Sequence, residues 1–284
     1  MPILPTDLIL NPDGSVYHLN LLPKHVADTI IAVGDPNRVG MIGEYLDTID
    51  YEINKREFIT ITGKYKGKRV TIISTGIGTD NVEIVLTELD ALVNIDLKTR
   101  EPKSRKKKLK IIRLGTSGAL QEDIPVGSHL VSEYGIGLDN LMTFYRFTMN
   151  AWEQELANEI QRQTSLPFLP YVVEGSAALR KQFGGEMLTG NTVTCPGFYA
   201  PQGRQVRSAA AFPDLLDRLN YFHHRDFWLT NFEMETSAYY AFGRLLGHEM
   251  VSLNAIIANR VKNKFSKDPY AVVRSLIEKT LALL

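Results

Sequence analysis

Ile111-Ile112-Arg113-Leu114-Gly115-Thr116-Ser117-Gly118 sets two β-branched residues before an arginine and closes on four small residues. The apolar half predicts a buried strand, because β-branched side chains fit a pleated, packed surface. The small half predicts a loop opening from the end of that strand. Its glycines let backbone N–H groups approach an anion closely, and Thr116 and Ser117 add hydroxyl donors. Arg113 adds a planar cationic fork that suits phosphate oxygens.

Upstream the same design recurs. Thr29-Ile30-Ile31-Ala32-Val33 is a short apolar run of buried-strand type, and it opens into Gly34-Asp35-Pro36-Asn37-Arg38. Val39, Ile42 and Leu46 then share one helical face. A strand, a glycine and a helix N-terminus make an anion site with Arg38 at its edge, or an ordinary capped turn with Arg38 on the surface. Residues 56–77 read as a hairpin turning at Lys66-Gly67, and its second arm enters Ser74-Thr75-Gly76-Ile77-Gly78 ahead of a helix over about Asn81 to Val93. Gly76-x-Gly78 lacks the third glycine of a dinucleotide fingerprint, with Asn81 in its place, so a Rossmann-type cofactor site is not expected. Residues 1–28 read as an extended leader with a turn at Asn11-Pro12-Asp13-Gly14 and a lone histidine, His18, of packed or solvent-facing type.

Downstream, Gly127 to Ser132 reads as a strand followed by Gly135-Ile136-Gly137, and Trp152 to Gln163 as an amphipathic helix. Strand-like runs follow at Tyr171–Val173 and Thr192–Thr194. The loop Cys195-Pro196-Gly197-Phe198-Tyr199-Ala200-Pro201-Gln202-Gly203-Arg204 carries an aromatic face, an amide that donates and accepts, and a guanidinium. Those groups together can read the edge of a heterocyclic base. Asn231-Phe232-Glu233-Met234-Glu235-Thr236 begins a helix that stops at Gly247, and its two carboxylates serve either acid–base chemistry or the helix dipole. Met250 to Ala258 is a last buried strand, and a helix from Asp268 closes the chain. Strands alternating with helices throughout predict a layered α/β fold.

With 284 residues, 44% of them hydrophobic, the chain can bury a sizeable core in one or two domains. The 32 lysines and arginines balance 32 aspartates and glutamates, so no global field favours nucleic acid or an anionic membrane. Eight of the thirteen residues from Lys98 to Lys110 are basic; like charges this dense repel and stay solvated, so 98–110 is expected to be a surface loop or insertion. Met1 to Asn11 has no signal-peptide pattern. No apolar run approaches the ~18 residues of a membrane span. Cys195 is the lone cysteine, which points to a reduced, cytoplasmic setting and excludes an internal disulfide.

Taken in order, these motifs resemble the nucleoside phosphorylases, most closely their uridine-cleaving branch. The resemblance runs from His18 to Arg260. It rests on Gly34-Asp35-Pro36-Asn37-Arg38, Arg56-Glu57-Phe58, Ser74-Thr75-Gly76-Ile77-Gly78, Arg113-Leu114-Gly115-Thr116-Ser117-Gly118, Phe198-Tyr199 with Gln202 and Arg204, and Glu233-Met234-Glu235. It implies a three-layer α/β/α sandwich around a mixed, twisted sheet, with residues 1–284 forming a single domain. It also implies a homo-oligomer, a dimer or a hexamer of dimers, whose neighbours complete each other's sites.

In family terms Gly34, Arg38, Arg113 and Thr116 would hold phosphate, and Arg56 would reach the same anion from the adjacent subunit. His18 would cross the interface to the ribose, which Glu235, Met234 and Thr116 would also contact. Phe198, Gln202, Arg204 and Arg260 would form the base site. Catalysis would fall to Arg113, Glu235, Arg204 and Gln202, with phosphate as co-substrate and neither cofactor nor catalytic metal. Some members hold a monovalent cation between subunits near the positions of Glu57, Ile77 and Asn81, the last usually serine. Two departures are the long basic stretch 98–110 and Ala200-Pro201, where relatives often place a glycine. The alternatives are a purine nucleoside phosphorylase or a nucleosidase of the same fold, or a non-catalytic nucleoside-binding or nucleic-acid-binding protein.

Overall fold

The computed structural model describes residues 2–284. The leader folds back through an isolated bridge between Leu10 and Val16 and delivers the chain to β1 (Thr29–Val33). Helix α1 (Pro36–Gly43) begins with Pro36 in its first turn and with Asp35 accepting from the Asn37 N–H. It buries Val39 and Ile42 but ends before Leu46, which packs on the core from the following turn. Next come β2 (Thr48–Lys55), β3 (Phe58–Tyr65) and β4 (Lys68–Ser74). The β3–β4 hairpin turns at Lys66 and Gly67, both with positive φ (48° and 76°), the backbone a tight two-residue hairpin requires. Strand β2 was not expected, although Ile49, Tyr51 and Ile53 alternate with polar residues; it is a mostly exposed edge strand in which only Tyr51 and Ile53 are partly buried.

Helix α2 (Thr79–Asn94) leads to the small pair β5 (Ile95–Asp96), just before the basic stretch, and β6 (Glu101–Pro102), inside it. That stretch lies on the surface and is tied down locally. Arg100 donates to the Leu8 carbonyl at 2.7 Å and Lys103 to the Val93 carbonyl at 2.9 Å, while Lys107 pairs with Asp28.

The opening stretch is β7 (Lys110–Ala119), and here the structure corrects the sequence. Gly115-Thr116-Ser117-Gly118 is not a loop. The strand runs on to Ala119, laddered along its length to a parallel neighbour. The glycine is needed for side-chain room: a Cβ on Gly115 would lie 2.0 Å from Arg113 Nη1, because residues two apart share a face of a strand. The same applies to β8 (His129–Gly137), which contains the two glycines expected beyond it; a Cβ on Gly137 would lie 2.1 Å from the Tyr171 ring.

The remainder comprises α3 (Ala151–Thr164), β9 (Tyr171–Glu174), α4 (Ala177–Gly184), β10 (Leu188–Thr194), α5 (Leu215–Tyr221), β11 (His223–His224), β12 (Phe227–Trp228), β13 (Asn231–Glu233), α6 (Thr236–Leu246), β14 (Glu249–Asn259), β15 (Lys264–Phe265) and α7 (Pro269–Ala282). Gly247 ends α6 at φ 77°. Asp268 caps α7 by accepting from the Ala271 N–H.

Eleven strands form one mixed sheet. Over Lys110–Leu114, β7 lies between β1 and β14, both parallel to it; at Gly118–Ala119 its partner opposite β14 is β13, antiparallel. Strand β14 also pairs with β8, β8 with β10 and β10 with β13, so this half of the sheet curls into a ring. From β7 the other half runs out through β1, β4 and β3 to β2. Both faces are covered. Ile30, Ala32 and Ile111 point into a core with α2 and α6, while Ile31, Val33 and Ile112 point into one with α1, α4 and α7. This is the expected layering of helices on either side of a mixed sheet, and the period-2 alternation of strand side chains produces it.

Candidate active site

The C-terminal ends of the parallel strands β1, β4 and β7 gather at one edge of the sheet, where open α/β folds bind their ligands, and the loop after β10, which runs antiparallel to β7, joins them there. A cavity of about 610 Å³ opens there. It is lined by nine of the expected residues: Gly34, Arg38, Arg113, Thr116, Phe198, Gln202, Arg204, Met234 and Glu235. They come from four separate stretches of chain, brought together by the pairing of β1, β7, β10 and β13.

At one end, Gly34 leaves β1 so close to the neighbouring turn that a Cβ would lie 3.2 Å from the Gly76 carbonyl oxygen. Arg38 follows in the first turn of α1, half-buried, and its guanidinium makes no hydrogen bond among the described residues. Burial lowers its pKa, the Asp35 carboxylate opposes that, and the Arg113 cation reinforces it. Thr116 is the one residue of 111–120 that is not buried, and it opens onto the same end.

At the centre, Arg113 is 4% exposed and tightly engaged. Nη2 lies 2.6 Å from both Glu233 Oε2 and Glu235 Oε2, while Nη1 donates to Ser252 Oγ and Asn254 Oδ1 at 3.1 Å each. Burial works against this cation, but the two carboxylates outweigh it and hold Arg113 charged far above any accessible pH. Glu233 also accepts from Thr194 Oγ1 at 2.8 Å and from the backbone N–H groups of Glu235 and Thr236, so it anchors the turn into α6. Glu235 Oε1 accepts the Gly78 N–H at 2.8 Å, joining the β4–α2 turn to the site. Burial raises the Glu235 pKa, Arg113 opposes the rise, and Glu233 adds to it.

At the far end, Phe198 is 50% exposed, and the Arg204 guanidinium stacks 3.7 Å from its ring centroid. Arg204 Nη1 donates to the Phe198 carbonyl at 2.6 Å and to Gln202 Oε1. Burial lowers the Arg204 pKa to about 10, with Arg260 adding to the effect. Arg260 does not line the cavity; it stands behind the loop, with Nη1 donating to the Gln202 carbonyl at 3.1 Å and its guanidinium 5.6 Å from the Phe232 ring. Phe232, Ile257 and Phe265 form an apolar wall here.

Two further expected residues, besides Arg260, lie outside the cavity. Arg56 is exposed at the β2–β3 turn, with φ 55°. His18 sits on the leader against Glu88, with Nδ1 2.6 Å from Oε1. Glu57, Ile77 and Asn81 do meet at the cavity rim, where Asn81 Nδ2 donates to the Ile77 carbonyl at 3.2 Å. Ser252 and Asn254 were missed; two polar residues inside an otherwise apolar strand were the available signal. For Phe265 the sequence carried no signal.

Among known proteins, the chain is similar to a solved Trypanosoma brucei nucleoside phosphorylase described as showing uridine phosphorylase activity. The two are 30% identical, with 98% of this chain and 99% of that one covered at a TM-score of 0.90. A uridine phosphorylase of Thermococcus kodakarensis is 29% identical over 259 residues, covering 90% of this chain and 81% of the relative. One of Haemophilus influenzae is 26% identical over 274 residues, covering 95% and 96%. Residues 28–284 match the model of the phosphorylase superfamily, and the chain belongs to that family.

Proposed function

We propose that the protein cleaves uridine with inorganic phosphate, giving uracil and ribose 1-phosphate, and accepts deoxyuridine and thymidine at the same site. The observation that carries this reading is the polarity of one cavity. An unpaired cation, Arg38, stands beside Gly34 and Thr116 at one end, and an amide and a guanidinium, Gln202 and Arg204, stand beside an exposed aromatic face at the other. The cavity volume suits a nucleoside with an anion. The similar proteins named as uridine phosphorylases support the same reading.

In this reading a phosphate oxygen attacks C1′ of the ribose while the bond from C1′ to the base nitrogen breaks and its electron pair leaves with the base. Arg38, the Gly34 and Thr116 edge, Arg113, and Arg56 of a neighbouring copy hold the phosphate, whose charge stabilises the cationic sugar. Arg204 and Gln202 turn from each other to the uracil edge and stabilise the negative charge developing there. The proton released as phosphate is esterified ends on the base, so atoms balance with no further reactant. Glu235 fixes the ribose hydroxyls, Met234 packs on the sugar, and this positioning supplies much of the rate. His18 of a neighbouring copy completes the ribose site. At the rim, the oxygens of Glu57, Ile77 and Asn81 would hold a monovalent cation between subunits, and no step passes through it. We place the enzyme in the cytoplasm as a single-domain homo-oligomer. Among the described residues no helix is long and apolar enough to cross a membrane.

A purine nucleoside phosphorylase is the second reading. It would need an acid after the last long strand, but β14 ends on Ala258 and Asn259 and is followed by Arg260 and Val261. The Asn259 amide is spent on the Gln121 and Ile124 carbonyls. Incubation with uridine, deoxyuridine, thymidine and inosine, each with and without phosphate, decides among the readings. Phosphate-dependent release of uracil is expected. Turnover of inosine but not uridine would overturn the pyrimidine assignment, and phosphate-independent release would indicate a nucleosidase.

A further inference from the structure

Glu88 lies on the buried face of α2 among Val85, Leu86, Leu89 and Leu92, where an ionised side chain is costly unless its oxygens are satisfied. Its carboxylate reaches across to the leader. Oε2 accepts the Leu19 N–H at 2.9 Å, both oxygens share the His18 N–H at 3.0 and 3.1 Å, and Oε1 lies 2.6 Å from His18 Nδ1. The two backbone contacts hold the turn, and a glutamine oxygen would serve them as well. The third contact is different in kind. A carboxylate only accepts, so the imidazole nitrogen facing it must carry the hydrogen. In the neutral ring the other nitrogen, Nε2, is then left as an acceptor. The ring stands edge-on to Tyr17, 4.9 Å between centroids, and its side chain is 32% exposed against 9% for Glu88. One side of the imidazole is therefore fixed inside the molecule and the other is presented outward.

We propose that Glu88 is a positioning residue. It holds His18 in the Nδ1–H form and in one orientation, so that Nε2 meets a sugar hydroxyl in the site of the neighbouring copy. This rests on the proposed reading of His18 as a ribose contact. It assigns to a residue buried in α2, 70 positions along the chain, control over which nitrogen the substrate meets.

The test is Glu88→Gln in the full-length oligomer. Glutamine keeps an acceptor for the backbone N–H groups but turns an NH₂ group toward Nδ1, which favours the opposite tautomer. Long-range proton–nitrogen spectra of histidine-labelled protein should show His18 protonated at Nδ1 in the parent and at Nε2 in Glu88→Gln, with the other five histidines unchanged. The KM for uridine should rise roughly tenfold, the loss of one hydrogen bond of about 1.4 kcal/mol, with kcat and the KM for phosphate nearly constant. His18→Ala should raise the same KM, and adding Glu88→Gln to it should change nothing more. An unchanged His18 tautomer, a parental KM in Glu88→Gln, or full additivity of the two substitutions would each overturn the role of Glu88. A parental KM in His18→Ala would instead overturn the reading of His18 on which the role depends.

Discussion

Arg113 inside β7 and Arg38 in the helix turn that follows the parallel strand β1 both line the cavity, yet the structure treats them differently. Arg113 is the hub of a buried cluster, held by two carboxylates and two neutral acceptors. Removing one partner of a buried ion cluster costs about 3–5 kcal/mol, because the opposite charges are left desolvated and unpaired. Arg113→Ala should therefore lower the denaturation midpoint as well as the activity, and its activity loss alone does not isolate a phosphate contact. Arg38 has no protein hydrogen bond to lose. Arg38→Ala should leave the denaturation midpoint nearly unchanged and raise the KM for phosphate by about 10- to 100-fold, the range for a hydrogen bond to a charged group. A steady-state titration of phosphate at saturating uridine reads this directly. Unchanged phosphate dependence would remove Arg38 from the phosphate site.

Among the elements, α3 shows how a helix on the outer layer is held to the sheet by charge. Asn150 accepts the Glu153 N–H at 2.9 Å and Glu153 Oε2 accepts the Asn150 N–H at 2.9 Å, a reciprocal cap. The same buried carboxylate takes Arg244 from α6 and the Glu174 N–H from β9. Burial pushes the Glu153 pKa up, but Arg244 and the two backbone N–H groups outweigh it and bring the group below its usual value of 4.5. With the folded value depressed, this stabilisation is fully present above the unfolded value and is lost as pH falls through the folded one. Denaturation midpoints should therefore fall with pH below about 4.5 less steeply in Glu153→Gln than in the parent, a difference that urea melts from pH 6 to 3 would measure. Equal slopes would show that α3 is not held by this charge. Elements of this kind differ in how readable they are. Strands β1 and β14 follow from apolar runs, and α2 from its helical periodicity. Strand β2 was legible and passed over, since Ile49, Tyr51 and Ile53 alternate with polar residues, whereas α4 and α5 escape because each is a short helix with few buried positions. Gly115 and Gly118 misled in the other direction. Read as loop formers, they are strand residues, and Gly115 leaves room for the Arg113 guanidinium.

For the whole molecule, the nine cavity residues span from Gly34 to Glu235, so the site exists only once the sheet has closed. The residue types were legible in the sequence, but the spending of Arg113 on Glu233 and Glu235 was not, since spacing cannot say which charges meet. Arg56 and His18 stand outside the cavity, Arg56 exposed and His18 half-buried against Glu88. In the proposed oligomer they serve the cavity of a neighbour, and this makes complementation possible. Arg56→Ala leaves a subunit with an intact cavity and no arginine to lend; Glu235→Ala leaves one with a damaged cavity and a normal Arg56. A mixed pair then rebuilds one complete site, while its second site carries both defects. After subunit exchange at equal concentrations, random pairing should restore about a quarter of the parental sites from two nearly inactive parents, as an isologous two-fold interface requires. Activity that stays at the sum of the two separate variants, with exchange verified by mass spectrometry of tagged subunits, would mean that each cavity draws on its own chain alone.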